Sequence, residues 1–249
     1  MSTPADQTHT TLDPGASIFG RVLVGIDDSP ESFEAARQAA TLATGPLTLL
    51  AVYDVMPTVI GAGMAPGPVA PLDEGPFRER AEEALKRARQ ELGSVEPAGK
   101  IARGRAWEVL LDEIAGEHIT LVAVGSHGAG RAKGILIGST ATELVHKAPC
   151  SVLVARKSLK AFPSSIVVGV DGSKEAAVAD AVAGAIAERF GAQLERLENL
   201  PYPVSGLVDA AIEAELLVVG SRGLHGIKAL GSVSERVAHE ARCSVLVVR

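Results

Sequence analysis

The chain has 249 residues, enough for one large domain or two modest ones, and is 47% hydrophobic but only 3% aromatic. A core of Val, Leu, Ala and Ile of this kind fits strands alternating with helices around a buried parallel sheet. The net charge of −6 excludes the broad basic field that a nucleic-acid backbone needs, and no apolar run approaches the length of a membrane span.

Residues 1–17, MSTPADQTHTTLDPGAS, have neither the basic region nor the apolar stretch of a secretory signal and read as a short disordered tail. Two cysteines cannot make a disulfide framework, so a reducing cytoplasm is the expected setting. Ile18–Ile26 is a β-branched run that ends at Asp27-Asp28-Ser29-Pro30, a strand followed by a turn. Ser29 with Pro30 after it is a helix start, and Glu31–Ala43 carries apolar residues at helical spacing. Leu47–Tyr53 is a second strand. Met56–Pro76 is too rich in Pro and Gly for regular structure and reads as a long loop, with a lid as the sharper alternative. Phe77–Leu92 is an amphipathic helix, Gly99–Arg103 a third strand and Trp107–Ala115 a third helix.

The next stretch, Leu121–Thr142, is the centre of the chain. An apolar run stops at Gly125, and glycines follow at 128, 130, 134 and 138 before a helix from Ser139 to about Lys147. Glycines let backbone N–H groups approach a ligand, and a helix N-terminus favours an anion. Ser139 and Thr140 stand where an N-cap is expected. The stretch predicts a strand, a phosphate-sized cradle and a helix start. Cys150–Ala155 closes the unit, giving βαβαβαβαβ with a helix in every crossover, hence a parallel sheet.

After residues 158–164, read as a linker, the pattern restarts. Ile166–Asp171 repeats Val22–Asp27, Leu216–Glu235 repeats the glycine stretch, and Cys243–Arg249 repeats Cys150–Arg156. The copies are unequal: one strand-like piece, about Gln193–Glu198, stands where the first copy has two strands, the long loop and a helix. The second copy reads as having lost a whole strand–helix unit.

These residues resemble the universal stress protein family, here as a tandem pair covering nearly everything from Ile18 to Arg249. The family's nucleotide signature is Gly, two residues, Gly, nine residues, then Gly-Ser or Gly-Thr, matched by Gly125, Gly128, Gly138 and Ser139. The resemblance implies two flavodoxin- or Rossmann-like α/β lobes, with strand order 3-2-1-4-5 in the first, and ATP as ligand, with Mg²⁺ accompanying it near Asp27. In that order strands one and four are neighbours where the order reverses, so a crevice opens at their carboxyl ends. By similarity Gly25, Ile26 and Asp27 line the adenosine side and Val52 packs on the base. Gly125, Gly128, Gly138, Ser139 and Thr140 hold the phosphates, Val124 and Ser126 are further nucleotide-binding residues, His127 is a phosphate or ribose contact, and Arg131 and Lys133 are weaker phosphate contacts. In the second copy seven residues separate Gly223 from Gly231 where nine are expected, and the strand that would supply the base contact reads as missing. That copy, 165–249, is therefore expected to be structural. Asp171, Gly220, Gly223, Gly231 and Ser232 are its candidate degenerate site. The family also implies an intrachain pseudo-dimer with Cys150–Ala155 beside Cys243–Val248, and leaves a homodimer open.

Other chemistries fit less well. His146 with Cys150, and His239 with Cys243, give two ligands per copy, short of a zinc site, and buried free thiols are the better reading than a disulfide. Ser29, Ser139, His127 and Asp27 offer no nucleophile elbow, no Walker A pattern is present, and the first turn lacks a dinucleotide fingerprint. No catalytic residue and no metal site made by protein alone is expected. Two classes of function stand: an ATP-binding stress-response regulator whose first lobe, 18–157, controls conformation or binding of an unnamed protein partner, and a slow ATPase or nucleotide-dependent transferase. A structural stress protein without ligand is the third.

Overall fold

Short apolar runs separated by capped helices fold here as repeated strand–helix crossovers. The computed structural model describes residues 18–55, 73–128, 137–158, 160–221 and 233–249, divided into two compact units, Phe19–Arg156 and Lys157–Arg249.

The first unit runs β1 (Val22–Ile26), α1 (Pro30–Leu42), β2 (Leu47–Tyr53), α2 (Gly75–Leu92), β3 (Ala98–Arg103), α3 (Ala106–Glu117), β4 (Leu121–Gly125), α4 (Ser139–Lys147) and β5 (Ser151–Ala155). Its strands lie in the order β3-β2-β1-β4-β5, and every pair is parallel, with Val22 opposite both Leu47 and Leu121. This is the order expected from the sequence. The first strand starts later than its apolar run, because the carbonyl of Phe19 accepts from Thr44 instead of extending the ladder. Ala35, Ala36 and Ala39 are wholly buried on α1, and their small side chains bring that helix close to β1, β4 and β5. Right-handed crossovers place α1 and α2, which touch, on one face and α3 and α4, which also touch, on the other. The core between these layers holds Leu23, Leu49, Leu121, Leu144 and Leu153, none more than 2% exposed. At the outer edge β3 is guarded by charge: Lys100 donates to Glu113 and Glu117, and those carboxylates hold its ammonium above the ordinary 10.5.

The second unit runs β6 (Ser165–Val170), α5 (Lys174–Phe190), β7 (Gln193–Glu198), α6 (Pro203–Ala210), a 3₁₀ turn at Ala211–Glu213, β8 (Leu216–Gly220), α7 (Val233–Glu240) and β9 (Ser244–Val248). The order is β7-β6-β8-β9, again parallel throughout. One expectation is corrected here. β7 pairs along the whole of β6 as β2 pairs with β1, so the strand beside the first is present, and the unit without a counterpart is α2 with β3. The stretch leading into β6 is bound to its own unit: Lys160 donates to the carbonyl of Glu213, and the Ser164 hydroxyl to Glu215.

Candidate functional site

Construction of the site starts at the turn after β1. Asp27 Oδ1 accepts from the Ser29 N–H at 3.2 Å and the Ser29 hydroxyl at 2.6 Å. Ser29 in turn caps α1, accepting from the Ser32 N–H at 3.1 Å, which fulfils the expected helix start. Asp28, between them, holds φ at +67° and pairs with Arg87 on α2 at 3.0 Å. The Ser29 hydroxyl lies 3.3 Å from the carbonyl of His127, linking this turn to the loop after β4.

That loop is anchored at both described ends. The Ser126 N–H donates to Ala155 at 2.9 Å, and its carbonyl accepts from Gly138 at 2.6 Å. The N-cap of α4 is Gly138 in extended conformation, with no side-chain bond, so the expected capping role of Ser139 and Thr140 is corrected. They are instead the first two helical residues, whose N–H groups have no partner within the helix. That arrangement leaves the helix start available to an anion.

Three glycines have different reasons for lacking a side chain. A Cβ on Gly125 would stand 2.7 Å from the backbone carbon of Glu31 and 2.9 Å from the nitrogen of Ser32, so it lets the start of α1 touch the end of β4. A Cβ on Gly128 would collide with Asp27 Oδ2. At Gly138 the nearest atom would be 3.5 Å away, an ordinary contact. Gly125 serves packing, Gly128 seats the carboxylate, and Gly138 keeps a space open.

These elements surround a cavity of about 500 Å³ at the carboxyl ends of β1 and β4, a volume that suits a small organic ligand. Of the residues proposed from sequence, Gly25, Ile26, Asp27, Val52, Val124, Gly125, His127, Gly128, Gly138, Ser139 and Thr140 all line it. Ser126 does not. It is 3% exposed, its backbone bonded to Ala155 and Gly138 and its hydroxyl 3.1 Å from His127 Nδ1. Arg131 and Lys133 lie outside the described residues.

The sequence reading missed two parts of the wall. Ala106 and Leu110 on α3 and Leu50 on β2 make the side near Val52 apolar. A Cβ on Gly25 would come within 3.1 Å of Leu110, so this wall sits directly on β1. The four-residue spacing of Ala106 and Leu110 was the available signal. On the opposite side Thr142 and Glu143 continue the polar wall begun by Ser139 and Thr140. One turn of helix separates Ser139 from Glu143, so this position too was legible as a rim residue.

Chemically the cavity has an apolar side for a flat ring and a polar side with a helix start for an anion. Among the described residues no three His, Cys, Asp or Glu side chains cluster to hold a metal ion. The Ser29 hydroxyl is directed at Asp27 and a carbonyl, and the buried Ser126 hydroxyl lies against the His127 ring. Cys150 and Cys243 are buried and are not joined in a disulfide. Among the described residues no helix is long and apolar enough to cross a membrane.

The second unit repeats the frame of the site. Asp171 accepts from the Ser173 N–H at 3.0 Å, Ser173 caps α5, and Gly172 takes the positive φ, +78°. A Cβ on Gly220 would stand 2.7 Å from the backbone of Glu175, and one on Gly169 would stand 3.0 Å from Leu207. Gly223, Gly231 and Ser232 lie outside the described residues.

Comparison with known proteins agrees with this geometry. The model of the universal stress protein family matches residues 19–156 and 197–249. Universal stress protein Rv2623 of Mycobacterium tuberculosis is 30% identical over 297 residues, an alignment covering 96% of this chain and 99% of that protein. A universal stress protein of Mycolicibacterium smegmatis is 31% identical, covering 92% and 96%. The crystal structure of a universal stress protein from Archaeoglobus fulgidus has the same fold, with a TM-score of 0.69 at 19% identity over 94% of this chain and 97% of that one.

Proposed function

This chain belongs to the universal stress protein family, and on that premise we propose that it is an ATP-binding stress-response regulator whose first lobe holds the nucleotide. The observation that carries this reading is the two-sided cavity, apolar around Val52, Leu50 and Leu110 and polar at the start of α4. The base packs on the apolar side. Asp27 faces the ribose or the metal, and the N–H groups and hydroxyls of Ser139 and Thr140 take the phosphates. Mg²⁺ enters with the phosphates and offsets part of their charge. The second lobe acts as structural support. The nucleotide acts as a signal read through conformation or a protein partner.

The test is calorimetric titration of ATP with Mg²⁺ into nucleotide-free protein, wild type beside Gly138→Glu. Position 138 has φ of −77° and room for a Cβ, so Glu fits the backbone while adding charge at the phosphate side. The expected result is about one ATP per chain, with affinity reduced at least tenfold in the variant, a loss of roughly 1.4 kcal/mol or more. Wild-type protein that takes up no ATP would overturn the reading, and two ATP per chain would reassign the second lobe as a binding unit.

A further inference from the structure

Glu143 is an unexpected neighbour for a phosphate. It stands on the polar wall of the cavity one turn after Ser139 and Thr140, and its side chain is 35% exposed. Lys147, one turn further on, donates to it at 2.7 Å. The same ammonium lies 4.1 Å from the ring centre of Trp107 on α3, next to the wall residue Ala106. An acid on the wall, a base neutralising it and an aromatic ring holding that base form one connected set.

The second lobe reverses this arrangement. Counted back from the closing cysteines, Glu143 and Lys147 precede Cys150 by the same intervals at which Arg236 and Glu240 precede Cys243. Arg236 donates to Glu240 at 3.4 Å. The helix and its i,i+4 pair are kept, so a general need for helix stability would be met by either polarity. In the first lobe the acid lines the cavity and its base is braced against tryptophan.

We propose that Glu143 is a specificity-determining residue that makes the first lobe discriminate metal-complexed from metal-free polyphosphate nucleotide. The inference rests on the reading that this cavity takes ATP. A carboxylate on the wall repels every anion, but it repels metal-free triphosphate more than the complex in which a divalent cation has cancelled two charges. Lys147 limits the penalty by offsetting part of the Glu143 charge, and Trp107 keeps Lys147 in place. The ratio of the two affinities is therefore set by side chains that need not touch the nucleotide base.

The test measures dissociation constants for ATP with excess Mg²⁺ and for ATP in EDTA, by calorimetry and by emission of Trp107, the chain's single tryptophan. Three proteins are compared: wild type, Glu143→Gln and Lys147→Met. Both substitutions fall on partly exposed side chains, and thermal melts check that folding is kept. The wild type is expected to favour the complexed form. Glu143→Gln narrows the preference by about fivefold to tenfold, mainly through tighter binding of metal-free ATP. Lys147→Met widens it, because the carboxylate loses its counter-charge. A wild type that binds ATP with a preference unchanged in both variants would overturn the role of Glu143 while leaving the nucleotide reading intact. A wild type that binds neither form would overturn both.

Discussion

The two lobes share the frame of a binding site, but only the first surrounds a described cavity with it. In both, a strand ends at an aspartate that holds the N–H of a capping serine, and a helix begins there. In both, the strand beside it ends at a glycine pressed against that helix, Gly125 on α1 and Gly220 on α5. A second glycine lies under a leucine of the next helix, Gly25 under Leu110 and Gly169 under Leu207. Gly125, the first glycine of what reads as a nucleotide signature, is therefore a packing requirement. It persists in a duplicated copy whether or not that copy binds anything. What separates the two glycine stretches in sequence is the charge one turn into the helix that follows, Glu143 against Arg236, and the spacing of their glycines.

The comparison can be broken most forcefully at the paired glycines. Gly125→Ala and Gly220→Ala each drive a Cβ into helix backbone that cannot rotate away, so each should lower the stability of its own lobe by about 3 kcal/mol. Urea denaturation read by circular dichroism measures both. If Gly125→Ala weakens nucleotide binding and leaves stability unchanged, the glycine serves the ligand and the parallel fails.

A smaller difference is expected at the caps. Ser173→Ala should cost about 1 kcal/mol, the usual worth of a capping hydroxyl. Ser29→Ala should cost about 2 kcal/mol, because its residue is 3% exposed and its hydroxyl both caps α1 and donates to Asp27. A loss of only about 1 kcal/mol in denaturant melts would mean that the bond to Asp27 contributes nothing net.

The smallest effect lies at the residue between aspartate and serine. Gly172→Asp should destabilise by about 1 kcal/mol, since a side chain is forced to positive φ with nothing gained. Asp28→Gly should be close to neutral, because relief of that strain is offset by loss of the half-exposed pair with Arg87. Differential scanning calorimetry of both exchanges sharpens the contrast to a single position.

Much of this architecture was legible in the chain. Apolar runs bounded by Gly, Pro and Asp located the strands, and helices in every crossover fixed their parallel sense. The internal repeat exposed the second lobe before any geometry was known. The misreadings have local causes. Ser139 after glycine has the composition of a cap, but the extended backbone of Gly138 already occupies that position. Ala106 and Leu110 belong to the cavity only because α3 crosses back over β1, a contact between residues far apart in sequence. Gln193–Glu198 was legible as a strand, but not its equivalence to β2, which is set by its pairing along β6 rather than by its own residues.

Loss of α2 and β3 also changes how the second lobe assembles. The central pairing of the first lobe joins Val22 to Leu121, 99 positions apart, whereas that of the second joins Ile166 to Leu216, 50 apart. Halving the loop lowers the entropy of closure by only about 0.6 kcal/mol, but local pairings also form faster. The lobe synthesised after its neighbour thus has the shorter search to its native topology.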